Sequence, residues 1–232
     1  MKFQKYMAVG ILGLTMALGF SGCQSENQKN QDAYRKIGIN SMAEGDYDKA
    51  VKSFQKALDT SLGKIGAEEI DICYYKAAAQ FAKKDYDGAI ETYTSLIDYD
   101  KENANAYYLR GSVYLDTDKQ DKAFKDYKNA VKYAGREYEI YEGIYENLTN
   151  KGETEEAKNY LKKALDIKPK DGADYAEQGH VYYLLEDYTQ AKSSLDRAID
   201  KDDKTALLYL AEVYNATDQQ EQGQALLERY VK

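Results

Sequence analysis

Gly45-Asp46-Tyr47-Asp48-Lys49-Ala50, Lys84-Asp85-Tyr86-Asp87-Gly88-Ala89 and Glu186-Asp187-Tyr188-Thr189-Gln190-Ala191 are three copies of one hexad. Its alanine recurs at Ala123 and Ala157, so the five follow one another at 39, 34, 34 and 34 residues. Seven residues after each stands Ala57, Leu96, Ala130, Ala164 or Ala198, and between the two lies Phe54, Tyr93, Tyr127, Leu161 or Leu195. Spacings of 3, 4 and 7 put these residues on one face of a helix. Small residues let two helices approach, and a large side chain fills the space left beside them. No such unit can bury its apolar face alone, so a chain built this way must stack its neighbours.

A 34-residue period with two helices per unit resembles the tetratricopeptide repeat, TPR. The third unit carries Tyr107, Gly111, Tyr114, Ala123, Tyr127 and Ala130. The fifth carries Tyr175, Gly179, Tyr182, Ala191, Leu195 and Ala198. The first has Tyr34, Gly38, Ala50, Phe54 and Ala57, with Ser41 in place of the first-helix tyrosine. The second puts Cys73 and Ala77 at the aromatic and glycine positions, and the fourth has Tyr141 but Tyr145 where glycine is usual. A degenerate sixth follows with Leu207, Ala211, Tyr214, Gly223 and Leu227. The resemblance implies an all-α fold, a right-handed α-solenoid of about six helix-turn-helix units over residues 31–232. The units fall near 31–69, 70–103, 104–137, 138–171, 172–203 and 204–232. The first-to-second spacing is five residues too long, and the stretch 61–70 is either a longer loop or an extended second helix. Asp46, Asp85, Asp187 and Thr154 stand where side chains can cap second helices. Pro169 stands where a second helix should stop.

Composition agrees with helix. The 232 residues contain one Pro, which disfavours a turn-rich β fold. The chain has 24 Tyr, 5 Phe and no Trp, so tyrosine does most of the aromatic packing.

The chain begins differently. Lys2 and Lys5 precede an uncharged run from Met7 to Phe20, too short for a spanning helix and of the length of a secretory signal. The run ends in Ser21-Gly22-Cys23, which resembles the lipobox of bacterial lipoproteins, with Phe20 where leucine is usual. Residues 1–22 are therefore expected to be a cleaved signal peptide, Cys23 a lipidated first mature residue, and 23–30 a flexible tether. The expected location is the extracytoplasmic face of the cell membrane, or an outer membrane if the cell has one. Loss of Lys2 and Lys5 takes the formal charge from −8 to −10.

Composition also narrows function. The acidic balance disfavours nucleic acid as a partner. A lone histidine, His180, excludes sites that need two, and two cysteines cannot build a disulfide framework. Cys73 is expected to be a buried thiol. No phosphate loop, dinucleotide fingerprint or nucleophile elbow is present. No catalytic residue, cofactor or metal is expected. Ser53-Phe54-Gln55-Lys56 has the spacing of a penicillin-binding motif but lies within a repeat helix.

The resemblance implies that first helices present a binding groove from positions 2, 5, 9 and 12 of each unit. These give Asp71, Tyr74 and Phe81 in the second unit, and Tyr108 and Ser112 in the third. They give Glu139, Glu142 and Glu146 in the fourth, and His180 and Tyr183 in the fifth. Three carboxylates at i, i+3 and i+7 share one helical face. They suit a basic or amine-bearing partner, or else form a solvated face; the tyrosines are either groove anchors or core. The carboxylate-clamp positions of some TPR domains carry Arg35, Tyr74, Tyr108 and Glu142, which does not make a clamp. The expected function is a membrane-anchored scaffold that binds protein or peptide in a cell-envelope complex. The alternatives are an assembly or secretion factor that captures polypeptide segments in transit, and a capture protein for a small or glycan ligand.

Overall fold

The computed structural model describes residues 25–61, 63 and 65–231. Cys23 and the run before it lie outside the described residues. So does the start of the stretch expected as a tether, but its later part is helical. Helix α1 spans Glu26–Ala43, with Ser25 as its N-cap; the Ser25 hydroxyl accepts from the Gln28 amide at 3.3 Å. The reason is local. Residues 26–31 contain neither Gly nor Pro, and Gln31 is anchored by donating to Glu69 at 2.8 Å.

Among the described residues there are twelve helices and no strand, the all-α class that the repeat predicts. After α1 come α2 (Tyr47–Thr60), α3 (Ala67–Ala82), α4 (Tyr86–Tyr99), α5 (Ala104–Asp116) and α6 (Gln120–Tyr133). Then come α7 (Tyr138–Asn150), α8 (Thr154–Ala164), α9 (Gly172–Leu184), α10 (Tyr188–Ile199), α11 (Thr205–Ala216) and α12 (Gln220–Val231). They form two compact bodies, the first ending at Tyr133 and the second beginning at Ala134. Within the first body each helix packs on the next in sequence. In the second each helix likewise packs on the next, and α9 also packs on α11.

One turn joins every pair. A residue in the left-handed region ends each first helix: Gly45, Lys84, Asp118, Gly152, Glu186 and Asp218. The next residue donates its amide five residues back, from Asp46 to Ser41, Asp85 to Gln80, Lys119 to Tyr114, Glu153 to Leu148, Asp187 to Tyr182 and Gln219 to Tyr214, at 2.8–2.9 Å. This is a Schellman closure, which satisfies a helix-end carbonyl and reverses the chain. Glycine adopts the conformation freely at Gly45 and Gly152. At the other four positions the closure holds a non-glycine residue in it. The second helix then starts under a side-chain cap where the sequence offers one. Asp46, Asp85 and Asp187 accept from Lys49, Gly88 and Gln190 at 3.0–3.1 Å. Thr154 differs from its expected role: Glu153 holds the cap position, and its side chain makes no capping hydrogen bond. Pro169 differs too, since α8 ends at Ala164, well before it.

Burial follows the repeat. Ala50, Ala89, Ala123, Ala157 and Ala191 are all fully buried, as are Phe54, Tyr127, Leu161 and Leu195. The glycine of the first helix meets the large residue of the second. A Cβ on Gly38 would lie 2.5 Å from the Phe54 ring, one on Gly111 2.9 Å from Tyr127, and one on Gly179 2.5 Å from Leu195. Across the long first-to-second connection α2 ends at Thr60 and α3 starts at Ala67, where the Glu69 carboxylate accepts from the Gly66 amide at 2.8 Å. Cys73 is half-buried rather than fully so; it packs on the core, and burial raises its thiol pKa.

One buried ion pair interrupts this apolar packing. Arg110 on α5 donates twice to Asp126 on α6, at 2.7 and 2.8 Å, and once to the Thr94 hydroxyl on α4 at 3.0 Å.

Candidate functional site

The predicted groove residues separate by body. In the first body, Tyr74 and Tyr108 are half-buried and committed to their own neighbours. The Tyr74 hydroxyl donates to Asn103 at 2.7 Å, and its ring tilts against Tyr93 at 6.3 Å. Tyr108 tilts against Tyr127 at 6.4 Å. Ser112 departs from expectation. It is 1 % exposed, donates to the Tyr108 carbonyl at 2.9 Å and receives the Tyr127 hydroxyl at 3.4 Å, so it belongs to the packing and not to a binding face. Arg35 is already paired with Asp71, which leaves no cationic clamp.

The second body brings its predicted residues together. Glu139 is exposed, while Glu142 and Glu146 are half-buried on α7. On α9, His180 Nδ1 lies 2.9 Å from Glu142 Oε1. The His180 ring stacks on Tyr209 of α11, with centroids 4.2 Å apart and planes 12° apart, and lies parallel to Tyr183 at 6.0 Å. Its other nitrogen, Nε2, is 4.0 Å from Glu212 of α11. Glu177, one helical turn before His180, completes the group. One ligating atom each from Glu142, Glu177 and His180 lies within 4.8 Å of the others.

Burial and charge act together here. Burial, then the charges of Glu142 and Glu139, push the Glu177 carboxyl up to about 8. Burial works against a charged His180, but the hydrogen bond it donates to the Glu142 carboxylate and the charges of Glu142, Glu212 and Glu177 outweigh it, so its pKa rises. Tyr209 is raised by burial and then by the same carboxylates. A half-buried acidic centre with aromatic walls can hold a cation, whether an ammonium, a guanidinium or a metal ion.

Three members of this group escape the sequence reading: Glu177, Tyr209 and Glu212. Glu177 and Tyr209 both stand sixth in their units, a position outside the assumed set of 2, 5, 9 and 12. Glu212 stands ninth in the sixth unit, the place His180 holds in the fifth. The i, i+3 spacing of Glu177 and His180 was the available signal.

Comparison with known proteins bears on the scaffold that carries this site. The chain matches TPR repeat over residues 77–118, and Tetratricopeptide repeat over 32–61, 104–136, 146–171 and 177–232. It is 21% identical to Anaphase-promoting complex subunit 3 of Schizosaccharomyces pombe over 217 residues, covering 81% of this chain and 33% of that protein. It is 27% identical to Tetratricopeptide repeat protein 13 of Homo sapiens over 154 residues, covering 61% of this chain and 17% of that one. The chain thus spans a third or less of the curated relatives it matches. The crystal structure of a tetratricopeptide repeat protein from Parabacteroides merdae superposes with a TM-score of 0.51 at 15% identity, over 88% of this chain and 79% of that one. That likeness is one of fold.

Proposed function

From the premise that this chain belongs to the tetratricopeptide repeat family, and is thereby a protein–protein interaction scaffold, we propose that it works at a cell envelope, held by lipid on Cys23, and binds a basic polypeptide segment. The observation that carries the binding reading is the convergence of Glu139, Glu142, Glu177 and Glu212 around His180, Tyr183 and Tyr209. The Glu139, Glu142 and Glu212 carboxylates attract a cationic segment from a distance, Glu177 holding its proton near neutral pH, and flat aromatic faces hold the segment's side chains at contact. The scaffold carries no chemistry of its own; its work is to bring partners together, as Anaphase-promoting complex subunit 3 belongs by its name to a complex. The lipid reading rests on the sequence alone. Among the described residues no helix is long and apolar enough to cross a membrane. A diacylglycerol on Cys23 would supply two chains, the number that stable anchoring takes.

Two expected results test this. Cells fed a fatty-acid analogue should label the wild-type protein and not a Cys23→Ala variant; equal labelling of both removes the anchor from the account. A partner found by crosslinking from membranes should associate more slowly with a Glu139→Gln/Glu142→Gln/Glu146→Gln variant. The salt dependence of its association should also flatten, because charge acts mainly on the on-rate and is screened over about 8–10 Å. An unchanged rate and salt slope would leave these carboxylates as a solvated face.

A further inference from the structure

Glu142, Glu177 and His180 make a donor set that mixes two carboxylates with one imidazole, brought together from two helices. Glu142 lies on α7 and stands 38 residues before His180, while Glu177 shares α9 with it. Three atoms within 4.8 Å of one another have a common point no more than about 2.8 Å from each. Bonds from zinc to nitrogen and oxygen ligands are roughly 2.0–2.2 Å, so small side-chain rotations close the difference.

The surroundings favour an ion rather than a bare acidic patch. The imidazole is fixed by stacking on Tyr209, and Glu212 faces the nitrogen opposite the one that meets Glu142. A carboxylate on the far nitrogen holds the ring of a metal-bound histidine in orientation. The strongest charges acting on Glu177 and His180 come from Glu139, Glu142, Asp203 and Glu212 besides each other; no Lys or Arg is among them. Tyr138, at the start of α7, is 2 % exposed; among the described residues its hydroxyl has no hydrogen-bond partner, and the charges that act on it most are those of Arg136 and then Glu177.

We propose that Glu142, Glu177 and His180 bind one divalent transition-metal ion, with zinc as the representative, and that Glu212 orients the imidazole. Mixed nitrogen and oxygen donors suit zinc, iron, cobalt or nickel better than calcium or magnesium. The inference shares Glu142, Glu177 and His180 with the docking of a basic segment but does not rest on it, because it is tested with the ion alone.

The test uses tag-free full-length protein, stripped with chelator and then titrated with Zn²⁺ by calorimetry and with Co²⁺ by visible absorption. The expected result is one ion per chain, a Co²⁺ band that Zn²⁺ abolishes, and a melting temperature raised by Zn²⁺. Loss of a ligand should weaken binding by roughly 100-fold, the upper end of what loss of an orienting partner costs. His180→Ala and Glu177→Gln should both show this, Glu212→Gln should bind on the order of 10-fold more weakly, and Glu221→Gln, on the exposed face of α12, should match wild type. Glu177→Gln preserves shape, so it decides the matter should His180→Ala fail to fold. Absence of saturable one-to-one binding, or wild-type affinity in Glu177→Gln, overturns the proposal.

Discussion

An Arg110→Met variant is expected to lose about 3–5 kcal/mol of stability, the range for breaking a buried ion pair on one side. Asp126 is 3 % exposed and receives both its guanidinium bonds from Arg110. Methionine keeps much of the stem's volume but donates nothing, so a carboxylate stays in the interface between α5 and α6 with its charge uncompensated. It must then take up a proton, draw in water or loosen the helix pair. The Thr94 hydroxyl loses the bond it accepts from Arg110 and keeps only the one it donates to the Ile90 carbonyl, which carries the damage to α4. Urea melts followed by circular dichroism measure this directly. Two controls locate the cause. Arg110→Met/Asp126→Leu should recover much of the loss, because the pair together costs desolvation that apolar residues avoid. Lys192→Met, which removes an exposed i, i+4 pair with Asp196, should cost less than about 1 kcal/mol. An Arg110→Met protein within 1 kcal/mol of wild type would mean that water already reaches Asp126.

The second large effect is expected at Glu177, in chelator so that no metal ion competes for the site. Its folded pKa is about 8 against an ordinary 4.5, so between those values the folded chain holds a proton that the unfolded chain lacks. Folding is then favoured as pH falls. The contribution is complete below about 4.5 and is lost as pH rises through about 8, at up to roughly 1.4 kcal/mol per pH unit for one proton. The groups that act with it are Glu139, Glu142 and Tyr138 from α7, His180 on its own helix, Asp203 just before α11 and Tyr209 from α11, with Glu212 acting on His180 and Tyr209. His180 works in the same sense. Its raised pKa gives stability that is present below its ordinary 6.5 and lost as pH rises through the folded value. The melting temperature should therefore rise from pH 9 toward pH 6. Glu177→Gln, which is neutral throughout, should be more stable than wild type at pH 9 by about 1–3 kcal/mol after solvent screening, and should show a shallower slope. Parallel profiles for the two proteins would show that Glu177 ionises freely in the fold.

The repeat is legible in the sequence because its decisive contacts are close in the chain. Gly38 meets Phe54, Gly111 meets Tyr127 and Gly179 meets Leu195, always sixteen residues on. A helix, a closed turn and a second helix fix that distance. Other features depend on small differences in local competition. Ser25 begins a helix where a tether is expected, Glu153 displaces Thr154 at a cap, and the Ser112 hydroxyl turns inward to the Tyr108 carbonyl. A short polar side chain can serve the backbone or the solvent at nearly equal free energy, and composition does not choose between them.

The acidic centre marks the division. By itself the sequence determined that helices would pair at a 34-residue period, that alanines and glycines would face large apolar partners, and that Glu139, Glu142 and Glu146 would share a face of α7. The tertiary structure alone decided that Glu142 would reach His180, that Glu177 would join them, and that Tyr209 would stack on the ring at 4.2 Å. The first set follows from periodicity within a helix and from burial against the next one. The second depends on how successive first helices approach one another, because contacts between residues 29 to 38 apart are set by interhelical distance and angle. The side chains packed between the helices decide these, and no spacing along the chain encodes them.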